Sequence, residues 1–211
     1  MPSLQETVLF IRNECQIPPP PDWDGIVDYL LSRGLDDPPQ TFTSLRGLAA
    51  EVYLWQVIDS IKTATIDWEV AHNGSERYRR LSHYDRAAKI DDSQEGVVLE
   101  TDALFLANGY VFAGEAKSSK GVGYLRRQHA QKVLRGFHEF FAPHQEYVPW
   151  LLFAPPDSLA RGENHKLCEE AERDGHIVIP MGIEQGTFEV GLECMCGEVG
   201  MPFIMNLQTS F

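Results

Sequence analysis

The chain has 211 residues, 43% of them hydrophobic and 23% charged, and a formal net charge of −13. That length and balance predict one domain with a sizeable core. No run of about 18 apolar residues is present to cross a membrane, and the acidic excess weighs against generic nucleic-acid binding.

The opening residues M-P-S-L-Q-E-T-V-L-F-I-R-N-E lack a basic start and a long apolar core. No signal peptide is expected, and the cytoplasm is the expected compartment. Four cysteines, Cys15, Cys168, Cys194 and Cys196, give no disulfide framework. The charge is uneven. Residues 77–135 hold 11 Lys and Arg against 7 Asp and Glu, whereas the remainder holds 7 against 24. Between Lys117 and Arg135 there are six basic residues and no acidic ones.

Residues 2–14 predict a short amphipathic helix through Leu4, Val8, Leu9 and Ile11, ended by Pro18–Pro21. A second short helix is expected from Asp22 or Asp24 to Ser32, closed by Gly34. Residues 1–40 therefore read as an N-terminal helical extension. Thr43 or Ser44 is a good N-cap for a third helix that runs to about Thr63. Glu51 sits beside its apolar stripe, and Gly47, one turn earlier, leaves room for another backbone to approach. Residues 66–71 predict a strand, 72–75 a turn, 76–85 a strand or extended loop, and 89–96 an acidic loop.

Residues 100–120 then read as two strands joined at Asn108-Gly109, a dipeptide that tolerates the positive φ of a two-residue turn. A helix follows from about Tyr124 to Phe141, with Arg127, Gln131 and Arg135 at successive turns and Gln128 one turn from Gln131. Residues 148–154 predict an apolar strand, 162–174 a charged helix ended by Gly175, and 176–181 another strand. Phe188, Val190, Leu192, Cys194 and Cys196 alternate with mostly polar neighbours, so residues 182–211 predict a C-terminal β-hairpin. The fold class expected is α/β, a mixed sheet between helices, with residues 41–181 as its core.

On the central hairpin, Asp102, Glu115 and Lys117 project from one side at neighbouring strand ends. Two carboxylates and an ammonium among apolar residues are costly unless paired. A hard divalent cation together with the lysine would pair them. Other groupings are weaker. His165, Cys168, Cys194 and Cys196 have irregular spacing for zinc, and Cys194 and Cys196 fall on the apolar face of a predicted strand, so core packing is the better reading of those two. His72, His83 and His129 lie near the basic region, and His129 reads as a solvated helix histidine.

In this order and on these elements, the residues resemble the PD-(D/E)XK nuclease superfamily, which includes restriction endonucleases and Holliday-junction resolvases. The resemblance covers about residues 43–154, possibly to 181. It implies a restriction endonuclease-like core and metal-dependent phosphodiester hydrolysis, in DNA rather than RNA. Asp102 stands for the family's acidic residue on the second core strand, and Glu115-Ala116-Lys117 for its Glu-x-Lys. Gly47 and Glu51 are similar to the pair on its first helix, and Gln128 and Gln131 compete for its glutamine. Thr101 stands where the family often has proline.

By that resemblance Asp102, Glu115 and the carbonyl of Ala116 would hold Mg²⁺ or Mn²⁺, with Glu51 serving a second metal or a water on it. Lys117 would orient the attacking water. Lys120, Arg127, Lys132 and Arg135 would contact the nucleic-acid backbone without reading sequence. A homodimer is implied, since two strands need two sites. The rival reading is a fold of the same kind without turnover, or one active only in a complex, with a protein partner docked at the acidic surface.

Overall fold

We describe a computed structural model in which residues 2–33, 42–61, 78–82, 88–94, 97–119, 128–142 and 144–198 are placed. Three helices come first: α1 (Leu4–Glu14), α2 (Trp23–Arg33) and α3 (Phe42–Ser60). Ser3 starts α1 with a reciprocal cap. Its hydroxyl accepts the Glu6 N–H, and its own N–H donates to the Glu6 carboxylate. Asp22 caps α2 by accepting the Gly25 N–H at 3.2 Å.

Among the described residues seven strands and four more helices follow: β1 (Tyr78–Ser82), β2 (Ala88–Asp92), β3 (Val97–Thr101), β4 (Ala103–Ala107), β5 (Tyr110–Ala116), α4 (Gln128–Phe141), β6 (Trp150–Ala154), α5 (Pro156–Leu159), α6 (Asn164–Arg173), β7 (Ile177–Pro180) and α7 (Gln185–Glu198). β1, β2 and β3 form one antiparallel sheet. β4, β5, β6 and β7 form a mixed sheet in that order, antiparallel between β4 and β5 and parallel from β5 onward. The architecture is mixed α/β, as expected. Only Asp102 separates β3 from β4, so one nearly continuous strand passes from the first sheet into the second.

The hairpin turn is where the sequence puts it. Asn108 has φ 50° and Gly109 φ 84°, the left-handed pair that a two-residue turn requires. From there the period of two sorts side chains to opposite faces. Phe105, Phe112, Leu151 and Phe153 pack with α1, α2, α3 and α7 in one apolar cluster. Leu104, Val111, Ala113, Trp150 and Leu152 pack with α4 and α6 in another, which also takes Ile90 and Leu99 of the first sheet. The sheet is thus covered on both faces, as its parallel strands require. Both N-terminal helices share the first cluster, through Val8, Ile11, Ile26 and Leu30.

Two expectations are corrected. Residues 88–92 are strand β2, not part of an acidic loop: Ala88, Ile90 and Asp92 point inward and Lys89 and Asp91 outward. The buried Asp92 accepts the Gln94 N–H at 3.1 Å, so its carboxylate is spent on the turn. The C-terminal hairpin is absent over residues 185–198, which form α7. Phe188, Leu192 and Cys196, four residues apart, are its buried stripe, while Val190 is 58% exposed and Cys194 is exposed. The strand expected over 66–71 and the return strand beyond residue 198 lie outside the described residues.

Candidate active site

The bend between β3 and β4 creates the site. Thr101 is fully buried there, its hydroxyl reaching the Gly114 carbonyl at 2.7 Å and the Ala103 carbonyl at 3.1 Å. On α3, the Trp55 indole N–H donates to the Asp102 carbonyl at 2.7 Å. Backbone and helix therefore fix Asp102 before its side chain acts. Asp102 Oδ2 accepts the Ala116 N–H at 2.8 Å, which ties the bend to the end of β5.

Glu115 and Lys117 lie on that end of β5. The Lys117 N–H continues the parallel ladder by donating to the Phe153 carbonyl at 2.8 Å. The Lys117 ammonium donates to Glu115 Oε1 and stands 4.0 Å from Asp102 Oδ2. Glu115 is only 4% exposed. The three groups expected to converge do so.

Their electrostatics are out of balance. Burial pushes the Glu115 carboxyl well above the usual carboxylate range; the Asp102 charge adds to this, Lys117 opposes it, and Glu51 pushes it up further. Burial likewise raises Asp102, against the pull of Lys117 and the Ala116 N–H. Among the described residues one ammonium thus faces a buried carboxylate, that of Glu115, and a half-buried one, that of Asp102, with Glu51 of α3 near enough to be felt. Gly114 lets the helix close on the sheet: a Cβ there would sit 3.1 Å from the Ala103 Cβ and 3.3 Å from a Leu54 methyl.

Two carboxylates and the Ala116 carbonyl suit Mg²⁺, which takes few protein oxygens and keeps several waters. Among the described residues no group of three or more His, Cys, Asp or Glu side chains is placed to hold a metal. Mg²⁺ does not need three such ligands.

The remaining expected residues fall elsewhere. Gln131 and Arg135 are exposed on α4 and Lys132 is half-buried. Lys120, Arg127, His72 and His83, and the side chains of Gln128 and His129, lie outside the described residues. Gly47 brings no backbone close: a Cβ there would meet nothing within 4 Å among the described residues. Cys196 belongs to one apolar cluster and Cys168 packs against the other, so the sheet separates them; Cys194, expected in the core with Cys196, is exposed because the segment is a helix and not a strand.

Sequence reading missed two positioning residues. In the sequence Thr101 stands out only as a departure from the pattern it resembles, yet its hydroxyl holds the bend. Trp55 follows Glu51 by one helical turn, and that spacing was the available signal for it. Comparison of the chain with family models, with curated proteins and with solved structures returned no match.

Proposed function

We propose that the protein is a metal-dependent nuclease of the PD-(D/E)XK kind, with a restriction endonuclease-like core and DNA as its substrate. The observation that carries this reading is the buried Glu115 carboxylate held beside Asp102 with, among the described residues, one ammonium, that of Lys117, between them. Such a cluster costs stability and is retained where a cation and an anionic substrate complete it.

Asp102, Glu115 and the Ala116 carbonyl would hold Mg²⁺ or Mn²⁺, with Glu51 as a further acid. When bound, the ion supplies a water of lowered pKa and draws charge from a phosphate oxygen. Lys117 orients the attacking water and offsets charge developing on the phosphate. Thr101 and Trp55 fix the Asp102 backbone, so the carboxylate needs no reorganisation. Gln131 or Gln128 positions Lys117 or a phosphate. Lys120, Arg127, Lys132 and Arg135 meet the phosphodiester backbone, locally offsetting an acidic protein.

The test is cleavage of labelled single-stranded, duplex, flap and four-way-junction DNA and of RNA, with Mg²⁺, Mn²⁺ or EDTA. Metal-dependent cutting is expected, reduced about 10³-fold or more by Asp102→Ala and by Lys117→Ala. No cutting of any substrate, together with no heat of Mg²⁺ binding, would overturn the reading.

A further inference from the structure

A concavity lies at the end of the mixed sheet opposite the candidate active site. Ala116 pairs with Phe153 near the candidate active site, whereas Ala113 pairs with Trp150 toward the other end. Just beyond Trp150, a cleft of about 400 Å³ opens between α1, the segment before β6 and the turn after α6. That volume falls within the range of small-molecule sites.

Its walls are held in place. The Arg12 guanidinium donates to the Glu172 carbonyl at 2.9 Å and also bonds the His176 carbonyl, which fastens α1 to the α6–β7 turn. Tyr147 Oη lies 3.0 Å from the Asp174 carbonyl and 2.7 Å from His176 Nδ1, and its ring packs on His138 at 4.9 Å. Gly175, at φ 86°, makes the tight turn, and a Cβ there would lie 3.5 Å from the Tyr147 ring. Three distant segments thus form one preformed cleft.

Leu4, Val8, Pro149 and the Tyr147 ring give it an apolar floor, and Gln5, Arg173 and Asp174 complete the lining. Arg173 and Asp174 are both exposed and form no ion pair among the described residues. The Asp174 charge raises the Tyr147 hydroxyl and opposes the fall at His176, so the carboxylate sits close to the cleft wall. The rim therefore carries one open cation and one open anion beside an apolar basin. A simple anion would meet the protein's net charge of −13 and a nearby carboxylate. A simple cation would leave Arg173 unanswered.

We propose that this cleft binds a free α-amino acid with an aromatic or branched apolar side chain. The carboxylate meets Arg173, the ammonium meets Asp174, and the side chain fills the basin. The site is independent of the hydrolytic reading and lies apart from its residues.

Isothermal titration of the full chain with L-phenylalanine, L-leucine and L-serine tests it, alongside 3-phenylpropionate and phenethylamine, each of which lacks one charge. Saturable binding of phenylalanine or leucine in the millimolar range or tighter is expected, weakened about tenfold or more by Arg173→Gln and by Asp174→Asn. The serine and single-charge probes should bind at least about tenfold more weakly. Amide shifts at Gly175 and His176 in ¹H–¹⁵N spectra should follow the same titration. Absence of saturable binding, indifference to both substitutions, or equal binding of the single-charge probes would overturn the proposal.

Discussion

The two ends of the mixed sheet handle buried polar groups in opposite ways. At the far end they are matched. Gln145 is buried and works as a strand surrogate: it accepts the Val111 N–H at 2.7 Å and donates to the Val111 carbonyl at 3.0 Å and to that of Tyr147. Tyr147, His176 and Arg12 complete the network, and the exceptions there are the Trp150 indole N–H and Arg12 Nε, buried without an acceptor among the described residues. At the near end, Asp102 and Glu115 share one lysine among the described residues, and burial holds both carboxyls above their ordinary range. A satisfied buried network stabilises; an under-compensated one costs free energy and is kept for what it binds.

The largest expected effect follows from that imbalance. Glu115→Gln removes a charge the fold opposes, so its melting temperature at pH 7 should equal or exceed that of the wild type. Metal-dependent cleavage should fall about 10³-fold or more. A variant that both melts lower and cuts normally would erase the distinction between the two ends. The mirror experiment is Gln145→Ala. It orphans the Val111 N–H and carbonyl inside the protein and should cost about 3 kcal/mol in chemical denaturation. Cleavage by the molecules that remain folded should stay intact.

Legibility in the sequence follows the same physical lines. Local signals were unambiguous at the hairpin: Asn108-Gly109 names its turn, and alternation places Glu115 and Lys117 together. Two partners that hold Asp102, Trp55 and Ala116, come from remote chain; the spacing from Glu51 puts Trp55 one turn along α3, and only the fold makes it a donor to the Asp102 carbonyl. The C-terminal helix was misread because Phe188, Leu192 and Cys196 satisfy a period of two and a spacing of four alike. Only the exposure of Val190 and Cys194 separates the two readings. Its glycines deepened the ambiguity. Gly191 is there for packing: a Cβ would lie 2.5 Å from the Trp23 ring. β2 was hidden because A-K-I-D-D looks polar, although its inward positions alternate.

The two ends should also respond to pH with opposite sign. Burial lowers His176 to about 4, with the His138 charge adding to the fall and Asp174 opposing it. Neutral Nδ1 accepts the Trp150 N–H at 3.3 Å, a bond that protonation would break. Between about pH 6.5 and 4 the unfolded chain takes up a proton the folded one refuses, so stability should fall with falling pH. The loss from this group is on the order of 3 kcal/mol, and His176→Asn should remove it. Asp102 and Glu115 act the other way. Their raised values mean the folded state binds more protons than the unfolded chain, so their contribution is lost as pH rises above the ordinary carboxylate range. Melting curves of His176→Asn and Glu115→Gln across pH 4–8 should therefore deviate from the wild type in opposite directions. Deviations of the same sign would mean the two ends are not distinct.

The smallest effect concerns space rather than charge. Gly47 lies one turn before Glu51 on α3, with nothing among the described residues within 4 Å of where its Cβ would be. A glycine inside a helix costs about 1 kcal/mol relative to alanine. Gly47→Ala should therefore stabilise the fold by about 0.5–1 kcal/mol, measured by denaturant midpoint. Nothing among the described residues explains why the glycine is there. Substrate approaching past α3 toward Glu51 and Glu115 would explain it. In that case the alanine variant is more stable yet cuts more slowly, with the loss in KM rather than in kcat, because a methyl obstructs binding without touching the reacting groups. Unchanged KM would place the substrate's path away from this face of α3 and leave Gly47 without a role in binding.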